Sequence, residues 1–210
     1  MTVKKLFAGV LTTVDTTVYT VPDGKTAIVK SITLCNTSSA DYTIALLMGG
    51  RKGLGNNWVT SSKVIKAYDT LVIPCMDYAL ADGGKIRLWS SGGSITTRIS
   101  GEETNGLIES TGYESFQVTM QVTSTVLVPA VNYKRIIKSV MIGNSSAVTS
   151  TFSTSIGGDY LIRQKQIKNG DVILIPFMDQ VVEASEEISG FKNLSTATVN
   201  SHITLLRVDD

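Results

Sequence analysis

The chain has 210 residues, 42% apolar and 18% charged, which is enough material for a buried core and carries no compositional sign of disorder. Lys and Arg number 19 against 18 Asp and Glu, a formal net charge of +1. The chain therefore lacks the basic excess with which a duplex-coating protein displaces phosphate counterions. No run approaches the ~20 apolar residues of a membrane-spanning helix, so neither nucleic acid nor membrane is an expected partner.

At the start, Lys4 and Lys5 precede the apolar run Leu6–Leu11. That imitates a signal peptide, but the run falls short of the ~7–15 residues such a core needs, and synthesis in the cytoplasm is expected. Thr17–Val21 alternates polar and apolar residues, and Pro22-Asp23-Gly24 then supplies a turn. Ala27–Leu34 is a β-branched strand ended by Asn36-Thr37-Ser38-Ser39, and Tyr42–Met48 is closed by Gly49-Gly50. Thr70–Ile73, stopped by Pro74, is followed by Ile86–Trp89 and Ser94–Ser100. A second series runs through Thr123–Val128, Arg135–Ile142, Thr149–Ile156, Val172–Ile175, Ile188–Phe191 and His202–Val208. No 3.6-residue apolar stripe long enough for a helix occurs, and Arg163–Lys168 offers one helical turn at most.

The two series are copies. Ile65–Asp77 matches Ile167–Asp179 at seven of thirteen positions with an offset of 102, and Lys30–Ser38 aligns with Lys138–Ser146 at an offset of 108. The fall from 108 to 102 places six extra residues of the first copy between Gly50 and Ile65. The expected fold is all-β: two tandem, duplicated antiparallel β-sandwich domains, jelly-roll-like in preference to immunoglobulin-like. They span residues 1–105 and 118–210, joined by a linker at 106–117 that has no counterpart in the other copy.

The stretch Tyr19-Thr20-Val21-Pro22-Asp23-Gly24-Lys25-Thr26-Ala27, continued by Leu34-Cys35-Asn36-Thr37-Ser38, resembles the opening of small β-sandwich virion proteins of tailed bacteriophages. The resemblance covers about 20 residues of the first copy and is looser in the second, where Val128-Pro129 and Lys138-Ser139-Val140 remain. It implies capsid-decorating, neck or tail accessory proteins and carries over no catalytic residue.

Chemistry-bearing residues are sparse. The single histidine, His202, sits in a strand and reads as a packed or surface residue. With it and two cysteines 40 residues apart there is no zinc pattern. Cys35 and Cys75 read as buried thiols of a reducing compartment, with one bridge between them as the alternative. No Gly-x-Ser-x-Gly elbow or phosphate-binding loop is present. Asp77 and Asp179, like Asp69 and Asp171, are expected to cap their own turns rather than bind calcium. Trp89 and its counterpart Phe191 are expected in the core. No catalytic, cofactor-binding or metal-binding residue is assigned, and no enzyme activity is expected.

The candidate contact region is the inserted loop with Arg51, Lys52, Trp58 and Lys63, read as docking for another protein. The chain is accordingly expected to be a virion structural protein that binds other virion subunits and itself as a homo-oligomer, at the neck or tail in preference to the capsid surface. The alternative is a carbohydrate- or receptor-binding module for host-surface glycans, using Trp58, Tyr42 and Tyr113.

Overall fold

A computed structural model of the chain describes residues 2–49, 56–175 and 179–208. The first half contains β1 (Thr2–Val10), β2 (Thr16–Thr20), β3 (Lys25–Asn36), β4 (Tyr42–Gly49), β5 (Asn56–Ile65), β6 (Thr70–Leu80), β7 (Lys85–Ser90) and β8 (Ile95–Asn105). A short 3-10 turn at Ile108–Thr111 follows. The second half contains β9 (Tyr113–Thr119), β10 (Thr125–Val128), β11 (Lys134–Asn144), β12 (Ser150–Ile156), β13 (Asp159–Ile167), β14 (Val172–Ile175), β15 (Gln180–Val182), β16 (Ile188–Lys192) and β17 (Val199–Val208). Among the described residues no helix is long and apolar enough to cross a membrane.

The strands form four antiparallel sheets. The first sheet has the order β1-β8-β3-β6 and the second β2-β7-β4-β5. In the second half the third sheet runs β9-β17-β11-β14, with β15 also on β11, and the fourth β10-β16-β12-β13. When β1 is set against β9, β2 against β10 and so on, with β14 and β15 together opposite β6, the two halves have the same order. The duplication read in the sequence is thus a duplication of topology.

Period-two alternation decides which side chains are buried. In β3, Ala27, Val29, Ile32 and Leu34 enter a core shared with Ile44, Leu46 and Met48 of β4 and with Ile86 and Leu88 of β7. In β11, Ile137, Val140 and Ile142 meet Phe152 of β12 and Ile203 and Leu205 of β17. A register shift lies at the same place in both central strands, between Val29 and Ser31 and between Ile137 and Ser139. The turn read at Pro22-Asp23-Gly24 is present: Lys25 N donates to Pro22 O at 3.1 Å, and Gly24 takes a φ of 69°.

Asn36 explains why the pattern Asn-x-Ser recurs, as Asn36-Thr37-Ser38 and as Asn144-Ser145-Ser146. Its Nδ2 donates to Ala40 O at 2.7 Å and Lys66 O at 3.0 Å, while its Oδ1 accepts from Ser38 N. Asn144 repeats this with Val148 O at 2.7 Å, Ile167 O at 3.2 Å and Ser146 N. A buried amide tying together three loop backbones stabilises because each bond would otherwise be an unmet polar group.

Several expectations are corrected. The residues expected to link the halves, 106–117, hold the 3-10 turn and most of β9, a full member of the third sheet. Arg163–Lys168 is no helical turn. Arg163–Ile167 belongs to β13, with register shifts beside Gln164, whose φ is 51°. Trp89 and Phe191 are half-buried on outer faces, because alternation sends Ile86, Leu88 and Ser90 inward and turns Trp89 out, where its Nε1 donates to Thr13 O at 2.6 Å. Among the described residues, Asp77 and Asp179 are held by Lys30 and Lys138. Asp69 does cap locally, through Thr70 N at 2.7 Å, but Asp171 pairs with Lys63. Cys35 and Cys75 are free thiols; Cys75 is buried, and its burial pushes the thiol pKa up, whereas Cys35 is half-buried.

Candidate functional site: the junction and cleft between the halves

The third sheet has two buried faces. One faces its own core; the other, carried by Ser139, Met141 and Gly143 of β11 and His202 and Thr204 of β17, lies against β5 and β6 of the first half. Met141 joins the first half's core outright. The polar contacts run along this line: Ser139 Oγ donates to Cys75 O at 3.1 Å, and Ala79 N donates to Thr204 Oγ1 at 3.1 Å. Ser61 Oγ donates to Ser145 O at 2.8 Å, and Thr60 Oγ1 donates to Gly170 O. Gly143 permits the close approach, since a Cβ there would sit 2.0 Å from Val59 O.

His202 is fully buried at this junction, within 3.2 Å of the Tyr78 hydroxyl, which also accepts from Gln117 Nε2 at 2.7 Å. Burial drives the Tyr78 phenol pKa upward, so it stays neutral and available as a hydrogen-bonding group. A small apolar cluster of Ile28, Ala79, Ala81, Ile108 and Tyr113 seals the rest of the seam.

Beside the seam opens a cleft of about 760 Å³. Strand β9 lies along it from end to end, and Ala79–Ala81, Ile108, Tyr133 and Arg207 are among the other residues that line it. Tyr133 donates to Glu114 Oε1 at 2.5 Å and lies under the Arg207 guanidinium, 4.5 Å from the ring centroid. The bond to Glu114, with burial, raises the Tyr133 pKa. Near the cleft, Lys30 is paired with Asp77 and lies 3.6 Å from Glu102, and Lys138 is paired with Asp179 at 2.6 Å. The hydrogen bond to Asp179 is the main cause that raises the Lys138 pKa, with the charge of Asp77 adding to it. Tyr113, between the two pairs, is raised chiefly by burial.

Chemically this arrangement can hold a polypeptide: a strand edge, apolar walls and carboxylates at one end. Among the described residues no three His, Cys, Asp or Glu side chains are grouped to hold a metal.

Of the four residues expected to contact a partner, Arg51 and Lys52 lie outside the described residues. Trp58 has its backbone on β5, opposite Leu47. Lys63 pairs with Asp171 across the seam at 2.6 Å, so its charge serves the contact between the halves. Lys63 does not line the cleft. Tyr42 and Tyr113 are taken up in packing, Tyr42 against the first core and Tyr113 at the seam. Sequence reading missed the seam itself. A signal for it exists, because outward positions of the first copy, Thr33, Cys35 and Arg98, become Met141, Gly143 and His202 in the second.

No protein-family model matches the chain, and no curated protein matches it. Among solved structures it is similar to the major capsid protein P2 of bacteriophage PM2, at 11% identity over 99% of this chain and 98% of that one, with a TM-score of 0.33. The infectious bursal disease virus structure, Gx strain, matches at 11% identity over 100% of this chain and 74% of that one, TM-score 0.28. The PBSX exported protein XepA matches at 8% identity, covering 97% and 86%, TM-score 0.24. Superpositions this loose carry no argument about fold or function.

Proposed function

We propose that the chain is a structural protein of a tailed-bacteriophage virion, attached to other virion subunits at the neck, tail or capsid surface by protein–protein contacts. The observation that carries this reading is the repeated strand order. Eight strands split as first-eighth-third-sixth and second-seventh-fourth-fifth form a jelly roll, and both halves follow that order. We therefore take the chain as two tandem jelly-roll sandwiches, the first ending with β8 and the second beginning with β9. Jelly rolls serve as capsid, lectin and cupin domains, and fold alone does not choose among them.

Residue chemistry narrows the choice. A cupin holds its metal with a histidine cluster, and this sequence has one histidine. A lectin presents exposed aromatics; of the tyrosines expected to serve it, Tyr42 and Tyr113 are committed to packing, while Tyr68 and Tyr160 stand exposed. The assembly reading is favoured by a duplicated body with many sheet edges, a form suited to attachment at symmetric sites. The opening motif of the phage-like family supports the same reading, since Asn36 and the Pro22 turn are residues that build the fold.

The test is the mass of the purified protein by light scattering, followed by negative-stain imaging and by co-sedimentation with particles of a tailed phage whose genome encodes it. A closed oligomer, or saturable binding to the particle, is expected. A monomer that binds no particle and scores on a glycan array would overturn the reading in favour of a glycan-binding module.

A further inference from the structure

Sheet edges are templates for unwanted pairing, and proteins usually guard them with bulges, prolines, lysines or short length. The guards are visible on the other long edges. Strand β1 has a register shift between Lys5 and Phe7 and carries Lys4 and Lys5. Strand β6 carries Pro74, β5 has two register shifts and Lys63, and β13 has two register shifts, Arg163 and Lys165. At four residues, β14 is short.

Strand β9 has none of these. Its register with β17 is unbroken over seven pairs, from Leu206↔Tyr113 to Asn200↔Thr119, and Tyr-Glu-Ser-Phe-Gln-Val-Thr contains no Pro, Lys or Arg. No other described strand pairs with it. Its open side is the cleft, which runs along Gly112–Thr119 without interruption.

We infer that the free edge of β9 is a strand-addition site whose occupant is β1 of a second copy of this chain. Main-chain bonds to an exposed edge supply affinity in such contacts, and the flanking side chains supply selectivity. Three features single out β1. It is the topological counterpart of β9, the outermost strand of the same sheet in the other half, and its own outer edge has no described partner. It is mostly exposed and carries two cations and no acid; Lys4 is paired with Glu103, and Lys5 is exposed and in no ion pair among the described residues. The cleft is lined at one end by the carboxylates of Glu109 and of Glu114, which also holds Tyr133 and Arg135, and it has Ala79, Ala81 and Ile108 as apolar walls for Ala8. The lysines that guard β1 against other edges meet carboxylates in this cleft, and its register shift is tolerated, as the central strand β3 accepts two neighbours despite one.

Such a contact joins the first sheet of one copy to the third sheet of the next. It is head-to-tail, so it closes into a ring or runs on as a filament. This deepens the assembly reading above and rests on it, yet the two fail separately.

The experiment mixes isotopically light and heavy full-length chains and treats them with a zero-length carbodiimide, which couples amines to carboxylates in contact. Mass spectrometry then looks for mixed-isotope links between residues 2–10 and 107–119. The expected result is a mixed link from Lys4 or Lys5 to Glu109 or Glu114. Lys5→Glu, a change at an exposed residue, should lower self-affinity about tenfold or more by light scattering and leave the melting temperature unchanged. Oligomers whose mixed links map elsewhere overturn the strand pairing and leave assembly standing. A chain that stays monomeric at every concentration and gives no mixed link also overturns it, and particle binding then decides the assembly reading.

Discussion

Glu103 sits at the inner end of β8 with a side chain only 7% exposed, and three groups hold it: Lys4 Nζ at 2.8 Å, the Tyr19 hydroxyl at 2.8 Å and Lys25 Nζ at 3.5 Å. Burial alone would raise its pKa, but the hydrogen bonds from Lys4 and Tyr19 and the two ammonium charges outweigh it, and the carboxyl lies below its ordinary value. A depressed folded value stabilises above the unfolded pKa of about 4.3 and is lost as pH falls through the lower, folded one. Glu103→Gln should therefore flatten the stability curve below about pH 4.5, which urea titrations at stepped pH would read. Two other positions test the local fold. Asn36→Ala and Asn144→Ala should each cost about 2–3 kcal/mol, because each strands several loop carbonyls. Equal losses are expected, since the two amides make matching bonds. Tyr68 and Gly170 occupy the same turn, with φ of 58° and 69°. Tyr68→Gly should then stabilise by about 0.5–1 kcal/mol, the left-handed penalty less the entropy of glycine.

At the level of elements, legibility followed sheet position. Central strands such as β3, β4, β11 and β12, each with a buried face, are legible in the sequence. The strands passed over are β1, β5, β9 and β13, each outermost in its sheet, and the short β15, whereas the outermost β2, β6, β10 and β14 are legible. Edge strands lose the alternation on which the reading depends: β13 is exposed or half-exposed over eight of its nine residues, and β1 is mostly exposed. Matching strand positions place Trp89 and Phe191 in the expected core, although alternation from Ile86 and Leu88 turns Trp89 outward. The repeats exposed the topology because they preserve turns and central strands. The seam left a fainter trace, the loss of a side chain from Cys35 to Gly143. Gly143→Ala forces a Cβ against Val59 O and should destabilise by about 2–4 kcal/mol in chemical denaturation, whereas Cys35→Ala on the equivalent outer face of β3 should cost under about 1 kcal/mol.

For the whole molecule, the consequence of a sheet buried on both faces is that the second half has no complete surface without the first. Met141, His202 and Thr204 would meet water if the halves parted, and the Lys63–Asp171 pair and the Tyr78–Gln117 bond would open. The halves share topology but not environment, which is how a duplicated chain acquires one body with two unlike ends. An assembly subunit benefits from that rigidity, because a hinge at the seam would spread each contact over many orientations. The measurement that bears most directly on this single body is scanning calorimetry of the full chain. One transition, with a van't Hoff enthalpy equal to the calorimetric enthalpy, is the predicted result. Two separable transitions, the second unmoved by Gly143→Ala, would contradict it.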